Sequence, residues 1–291
     1  MNDVGAVAAG RLVRFSLITH NRQALADFYE SAFGFRREAA GRYSAARVHR
    51  ELAATGAASS ITIALGAERI ELIEFDAPGE AYPAAQICTD LNFQHFALVV
   101  PNIAAVHRRL LAMTGWSPIS RAGPEQLPSS SGGVTAFKFR DPEGHPLELL
   151  EFPTGSVPLR WRTAHRDDLC LGIDHSAISV RDTACSVAFY RALGLRETQH
   201  TVNQGPEQDR LDALSGACVE VTALSFAAAG PHLELLCYRS PGHLAGRKVK
   251  NNAVAATRLV LQRRPVEIEF TEAFAQPVVD PDGHHLLMQA G

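Results

Sequence analysis

The sequence predicts an α+β fold built from four βαβββ units of similar length, grouped in two domains, with the fourth unit shortened. Three observations carry this expectation. The 291-residue chain is long enough for two cores. It also repeats itself. The helix ends FYESAFGF (from Phe28) and FYRALGL (from Phe189) correspond, as do IELIEF, LELLEF and LELLCY (from Ile70, Leu147 and Leu233) and DPEGHPLELL and DPDGHHLLMQ (from Asp141 and Asp280). Finally, the spacing is regular. Arg14, His95, His175 and Ala256, taken as equivalent positions in the opening strands, recur at an almost constant interval. Each of the first three is followed, at a similar distance, by a strand glutamate: Glu71, Glu148 and Glu234 in turn. In the fourth unit the corresponding residue is Leu287, at little more than half that distance.

In the first unit Phe15 and Leu17 alternate with Arg14, Ser16 and Ile18, the period of a strand. Asn21 then serves as an N-cap, Leu25, Phe28, Tyr29 and Ala32 recur at helical spacing, and Gly34 stops the helix. The second unit has Phe96 and Leu98, cap Asn102, stripe Val106, Leu110 and Met113, and Gly115. The third has cap Asp182, stripe Val187, Tyr190 and Leu193, and Gly194. The fourth keeps the strand VAATRLVL from Val254, but Arg264-Pro265 follows and excludes a helix. Pro142 with Gly144, and Pro281 with Gly283, make turns before the last strands of units two and four. Two prolines, a glycine and no sustained period mark 153–168 as a linker. The expected domains are therefore 11–152 (units one and two) and 169–291 (units three and four, degenerate).

Composition narrows the function. Hydrophobic residues make up 46% and charged residues 20%, so the chain can form a substantial core. A net charge of -3 gives no basic footprint for nucleic acid or anionic membrane. No apolar run approaches a membrane span, and MNDVGAVAAG does not read as an export signal, so the expectation is a cytoplasmic protein. Cys88, Cys170, Cys185, Cys218 and Cys237 are odd in number and scattered, which argues against a disulfide framework or a thiolate zinc site.

Glu71, Glu148 and Glu234 each interrupt an apolar strand. Alternation puts Ile70 and Leu72 on one face and Glu71 and Ile73 on the other. A lone strand glutamate simply faces water; three at one point of a repeat, each paired with an earlier strand residue, suggest a site. His95 with Glu148 suits a divalent transition metal. Three weaker features read as surface: His284-His285 as loop residues, Ser129–Gly133 as a flexible loop without the lysine of a phosphate loop, and Arg247-Lys248-Val249-Lys250 as a basic stretch.

These repeats, the DPEGHPLELLEF and DPDGHHLLMQ endings and the two helix ends resemble the vicinal oxygen chelate superfamily, over about residues 11–290. That superfamily includes glyoxalase I, methylmalonyl-CoA epimerase, extradiol dioxygenases and bleomycin-resistance proteins. The resemblance implies two glyoxalase-like half-barrel domains, each able to hold a divalent ion (Zn, Ni, Co, Mn or Fe). The ligands come from the first and last strands of paired units, in the pattern His or Gln, Glu, His, Glu. With units one and two paired, the metal set is Glu71, His95 and Glu148, and Arg14 is the departure. The second pair offers His175 and Glu234 but also Ala256 and Leu287, a weak second pocket.

Arg14 leaves two readings open. A metal bound by the three remaining ligands supplies the charge that Glu71 and Glu148 need, with Glu148 moving a proton and Arg14 binding substrate. Alternatively Arg14 pairs with the carboxylates directly, and the cup is metal-free. The resemblance implies a glyoxalase- or epimerase-like lyase or isomerase, monomeric or homodimeric, acting on a small oxygenated molecule. The alternative is a metal-free binding or resistance protein. An extradiol dioxygenase is set aside, because two of its three ligand positions fall on Ala256 and Leu287.

Overall fold

A computed structural model describes residues 9–162, 168–243, 248–263 and 275–290. The first unit of the sequence forms β1 (Ala9–Ile18), α1 (Arg22–Phe33), β2 (Arg36–Tyr43), a single turn α2 (Ala45–Arg47), β3 (Ala58–Leu65) and β4 (Glu68–Phe75). The second forms β5 (Gln94–Val99), α3 (Ile103–Leu111), the two-residue β6 (Ser117–Pro118) and β7 (Glu125–Gln126), then β8 (Thr135–Arg140) and β9 (Pro146–Glu151). The third forms β10 (Gly172–Ser179), α4 (Thr183–Ala192), β11 (Arg196–Gln204), α5 (Pro206–Asp212), β12 (Cys218–Ser225) and β13 (His232–Ser240). β14 (Arg258–Arg263), β15 (Gln276–Val279) and β16 (His285–Gln289) complete the described chain. The reading of Arg264-Pro265 and Arg247 lies outside the described residues.

The expected caps form. The side chains of Asn21, Asn102 and Asp182 accept from Ala24, Ala105 and Cys185 backbone N–H groups at 3.0, 2.9 and 2.8 Å. Gly34 ends α1 in the left-handed region at φ 80°. Each cap satisfies N–H groups that the helix itself leaves open.

The strands make two mixed sheets. One runs β15-β16-β14-β1-β4-β3-β2; the other runs β11-β12-β13-β10-β5-β9-β8-β6, with β7 also on β8. This corrects the expected pairing. β1 joins β14 and β5 joins β10, so unit one pairs with unit four and unit two with unit three. The sheets therefore cross the anticipated boundary between 11–152 and 169–291. Nor is 153–168 a free linker over its described part: Leu159–Trp161 is a helical turn, Trp161 is buried, and its Nε1 donates to Asp174 Oδ1 at 3.2 Å. Linker composition marks where a chain can bend, but hydrogen-bond ladders decide which strands meet.

The main core lies between the sheets and under the helices. Phe15, Ile70 and Leu72 of one sheet and Phe96, Leu147 and Leu149 of the other share it with Tyr29 and Phe33. Phe15 and Phe96 rings stand 5.3 Å apart. Period-two alternation sends the intervening residues to the opposite faces: Ile73 joins a separate cluster with Tyr43 and Val48, and Ala97 joins one with Leu150. Those opposite faces carry the strand glutamates.

Consecutive units are tied by the two Asp-Pro turns. Asp141 accepts from Tyr29 Oη at 3.0 Å, and His145 Nε2 donates to Ile18 O at 3.0 Å. Asp280 accepts from Tyr190 Oη at 3.0 Å, and His284 Nε2 donates to Ser179 O at 2.9 Å. His284 is thus a buried structural residue rather than the exposed loop residue expected. Gly144 holds φ +97°, and a Cβ there would stand 2.8 Å from Tyr82 Cβ. Gly144→Ala should cost about 1–3 kcal/mol in denaturant unfolding, from backbone strain plus the clash.

Candidate metal centre

The strand registers identify equivalent positions. On adjacent parallel strands Ala97 faces Glu148, Ala177 faces Glu234, Ser16 faces Glu71 and Val260 faces Leu287. Two residues before each opening-strand position stand His95, His175, Arg14 and Arg258. The antiparallel ladders agree: His95 opposes Ala177 and His175 opposes Ala97, while Arg14 opposes Val260 and Arg258 opposes Ser16. The fourth-unit equivalent is therefore Arg258, and Ala256 was two residues short.

Swapped pairing changes which residues meet. His95 and Glu148 from unit two and His175 and Glu234 from unit three come together; Glu71 does not join them. The ligand atoms of His95, Glu148 and His175 all lie within 4.8 Å of one another, and all three residues are buried. Glu148 Oε2 stands 3.3 Å from His95 Nε2 and 3.4 Å from His175 Nε2. Glu234 Oε2 is 3.7 Å from His175 Nε2, and its Oε1 is 3.3 Å from His232 Nε2. Asp174, His175 and His232 form a second, overlapping group of candidate ligands.

The group sits in a cavity of about 400 Å³ walled by β11, β12 and β13, by β8 and β9, and by Phe152, Ser156 and Pro158 of the supposed linker. Ser131 and Gly132 of the expected surface loop also line it. The cavity wall has three carboxylates, Glu148, Asp174 and Glu234, and among its described residues one lysine and no arginine. That lysine, Lys138, is already paired with Asp212 at 2.6 Å. With its imidazoles neutral the cavity has excess negative charge, the setting that attracts a cation.

The proton equilibria follow from this field. Burial lowers His95, beyond what Glu148 restores, so its ring stays neutral at ordinary pH. Burial also opposes charge on His175, but Glu234, Asp174 and Glu148 outweigh it and raise the imidazole well above its usual value. Burial would raise Glu148; His175, His95 and Lys138 instead hold it well below the carboxylate range. Asp174 is likewise brought down to about 2: the hydrogen bond and charge of His175 overcome its burial. The field thus favours positive charge beside Glu148 and Glu234, whether carried by a proton or by a metal.

The donor set fits a divalent transition metal. His175 Nε2 is buried without a hydrogen-bond partner among the described residues, which is costly for a polar atom unless something binds it. His175 Nδ1 stands 3.1 Å from Asp174 Oδ2, the outer carboxylate that commonly orients a metal-binding imidazole. Two imidazoles with carboxylates suit zinc, nickel, cobalt, manganese or iron.

The other sheet is filled differently. Glu71 accepts from Arg14 Nε at 2.9 Å, Ser16 Oγ at 3.2 Å and Tyr43 Oη at 2.7 Å. Arg14 also donates to Gln289 at 2.9 Å. Arg258, 1% exposed, donates to the carbonyls of Ala256 and Asn251 at 3.0 and 2.6 Å, and burial pushes its guanidinium down to about 10. Two arginines thus stand where the other sheet has histidines. Of the expected metal set Glu71, His95 and Glu148, the last two meet His175 instead of Glu71, and Arg14 pairs with Glu71 on the other sheet. Sequence reading missed Asp174 and His232, although Asp174 directly precedes His175 in IDHS and His232 stands two positions before Glu234 in HLEL.

Mixed sheets with helices against one face and histidine and glutamate strands on the other define an α+β protein with a candidate metal centre. Residues 11–149 match the Glyoxalase/Bleomycin resistance protein/Dioxygenase superfamily, and that part of the chain belongs to it. Among solved structures, a V278E mutant of glyoxalase I from Zea mays has a TM-score of 0.61 at 14% identity, covering 96% of this chain and 92% of that one. Zea mays glyoxalase I itself gives 0.58 at 13%, covering 96% and 92%. A Bacillus subtilis protein provisionally named a dioxygenase gives 0.56 at 13%, covering 98% and 86%. At these identities the likeness concerns the fold. No curated protein matches the chain. No described helix is long and apolar enough to cross a membrane.

Proposed function

We propose that the chain is a metal-dependent lyase or isomerase of glyoxalase or epimerase type, with its site at His95, Glu148, His175 and Glu234. The observation that carries this is His175 Nε2, buried without a hydrogen-bond partner among the described residues and facing Glu148 and Glu234. The units form two cups: units two and three supply the working one, and units one and four, the fourth with only strands among its described residues, supply one closed by arginine. Because His95, Glu148, His175 and Glu234 come from one chain, the site is complete in a monomer.

A divalent ion held by these four residues would polarise neighbouring substrate oxygens and stabilise an enediolate or similar oxyanion. Glu148 is the carboxylate assigned to take the proton from the carbon beside those oxygens and deliver it to the neighbouring carbon. Asp174 holds the His175 ring through its Nδ1.

Metal analysis with solvent-deuterium exchange tests this reading. The expected result is near-stoichiometric divalent metal in replete protein, and label entering a hemithioacetal or 2-substituted acyl thioester only while the metal is present. Metal-replete medium leaving the protein without bound ion would overturn it in favour of a metal-free binding protein.

A second reading rests on the same group. His95, His175 and Glu148 are two imidazoles and one carboxylate, the donor set of ring-cleaving non-haem iron sites. The objection from Ala256 and Leu287 does not apply to a site made by units two and three. Ferrous-iron-dependent oxygen uptake with a catechol, without label exchange, would favour this reading.

A further inference from the structure

Beside the candidate metal centre the cavity has a polar floor. Lys138 on β8 stands directly opposite Glu148 on β9, and the aligned position in unit three is Ala223, opposite Glu234. The Lys138 side chain is 5% exposed, and its Nζ donates to Asp212 Oδ1 at 2.6 Å. Asp212, at the end of α5, accepts two further hydrogen bonds: its Oδ2 takes one from Gln208 Nε2 at 2.6 Å and one from Tyr238 Oη at 2.9 Å. The lysine is less fully engaged. An ammonium has three donors, and among the described residues Asp212 accepts one of them.

Gln208 is also half-satisfied. Its Nε2 must face Asp212, because a carboxylate only accepts, so its Oε1 is left buried without a partner among the described residues. Lys138 and Gln208 both line the cavity. A purely structural ion pair would be closed within the protein on both sides. Here the anion fills three of its roughly four acceptor sites, while the cation, on the cavity wall, uses one of its three donors among the described residues. A buried ion pair is weak evidence for stability, so its position on a cavity wall calls for another account.

We propose that Lys138 is a substrate-binding residue that selects small acids: molecules whose vicinal oxygens face His95, Glu148, His175 and Glu234 and whose separate carboxylate bonds the Lys138 ammonium. This rests on the metal-site reading for the orientation of the ligand, but not for the carboxylate contact itself. Gln208 Oε1 accepts from a hydroxyl on the same ligand. Asp212 holds the ammonium in place and competes with the ligand for it, so removing either partner shifts affinity in opposite directions.

The test is calorimetric titration of the metal-loaded full chain with malate and with 2-hydroxybutyrate. The two acids share the vicinal oxygens and differ in the second carboxylate. Wild type should bind malate roughly 10- to 100-fold more tightly, the range for a hydrogen bond between charged groups. Lys138→Met should erase that difference while keeping its metal. Because this variant leaves Asp212 buried and unpaired, Lys138→Met/Asp212→Asn is prepared beside it as a neutral, foldable floor, with the same expectation. Asp212→Asn alone should bind malate more tightly than wild type. Equal affinity of wild type for the two acids, or a malate preference that survives in the double variant, overturns the proposal. Failure of the metal-site reading is separate: the chain would bind no metal, and a Lys138-dependent malate preference in metal-free protein would still stand.

Discussion

His175→Ala is expected to abolish metal binding, whereas Glu71→Gln is expected to leave it intact. His175 contributes a buried Nε2 without a hydrogen-bond partner among the described residues, 3.4 Å from Glu148 and 3.7 Å from Glu234. Its loss should weaken affinity by more than the roughly 10–100-fold typical of an outer-shell change. Asp174→Asn makes such an outer-shell change at Nδ1 and should fall within that range, about 10–100-fold. Glu71 is engaged by Arg14, Ser16 and Tyr43, so its neutralisation should leave metal content unchanged. It should instead cost stability, about 3 kcal/mol, because a largely buried guanidinium loses its carboxylate. Elemental analysis and denaturant melts on the same preparations separate the two effects. Wild type should hold one metal per chain; two per chain, or metal lost in Glu71→Gln, would place the centre on the wrong sheet.

That contrast is also where sequence reading reached its limit. The helix caps at Asn21, Asn102 and Asp182 and the facing of Ile70 against Glu71 depend on neighbours within a few positions, and the structure has them. His95, Glu148, His175 and Glu234 were all singled out as site residues, but in two incomplete pairs. What joins them is the ladder between β5 and β10, a contact between strands a whole unit apart in the chain that no local pattern encodes. The choice of Ala256 over Arg258 has a similar cause. Without a glutamate at Leu287, nothing in the fourth unit fixed the count, and the true position emerged from the registers against Ser16 and Leu287. Lys138 lay in view in TAFKFR, alternating with Phe137 and Phe139. Its meaning depended on Asp212, which belongs to another unit.

Asp141→Ala is expected to be among the most destabilising single changes, at about 3–5 kcal/mol, while sparing the metal centre. One carboxylate there accepts Tyr29 Oη at 3.0 Å, His145 Nδ1 at 2.8 Å and the backbone N–H groups of Glu143 and His145 at 2.9 and 3.0 Å. The sheets join units one with four and two with three, so this turn is a tie between units one and two that strand pairing does not make. Asp280 makes the corresponding tie to Tyr190. Asp280→Ala should cost less, because its neighbour His284 gives its ring hydrogen bond to the Ser179 carbonyl and no comparable ion pair is present among the described residues. The difference between the two turns is charge. His145 donates from Nδ1 to Asp141 and from Nε2 to the Ile18 carbonyl, so both ring nitrogens carry protons. Burial opposes that charge, but Asp141 outweighs it and raises the His145 pKa above its ordinary value. A raised imidazole gives its full stabilisation below the unfolded value of about 6.5 and loses it as pH climbs through the folded one. The stability gap between wild type and His145→Gln, measured by urea unfolding from about pH 5 upward, should therefore be widest in mild acid and shrink toward alkaline pH. A gap that stays constant or widens with pH would mean the ring is neutral, and the tie would then be an ordinary hydrogen bond between two sheets that already hold themselves together.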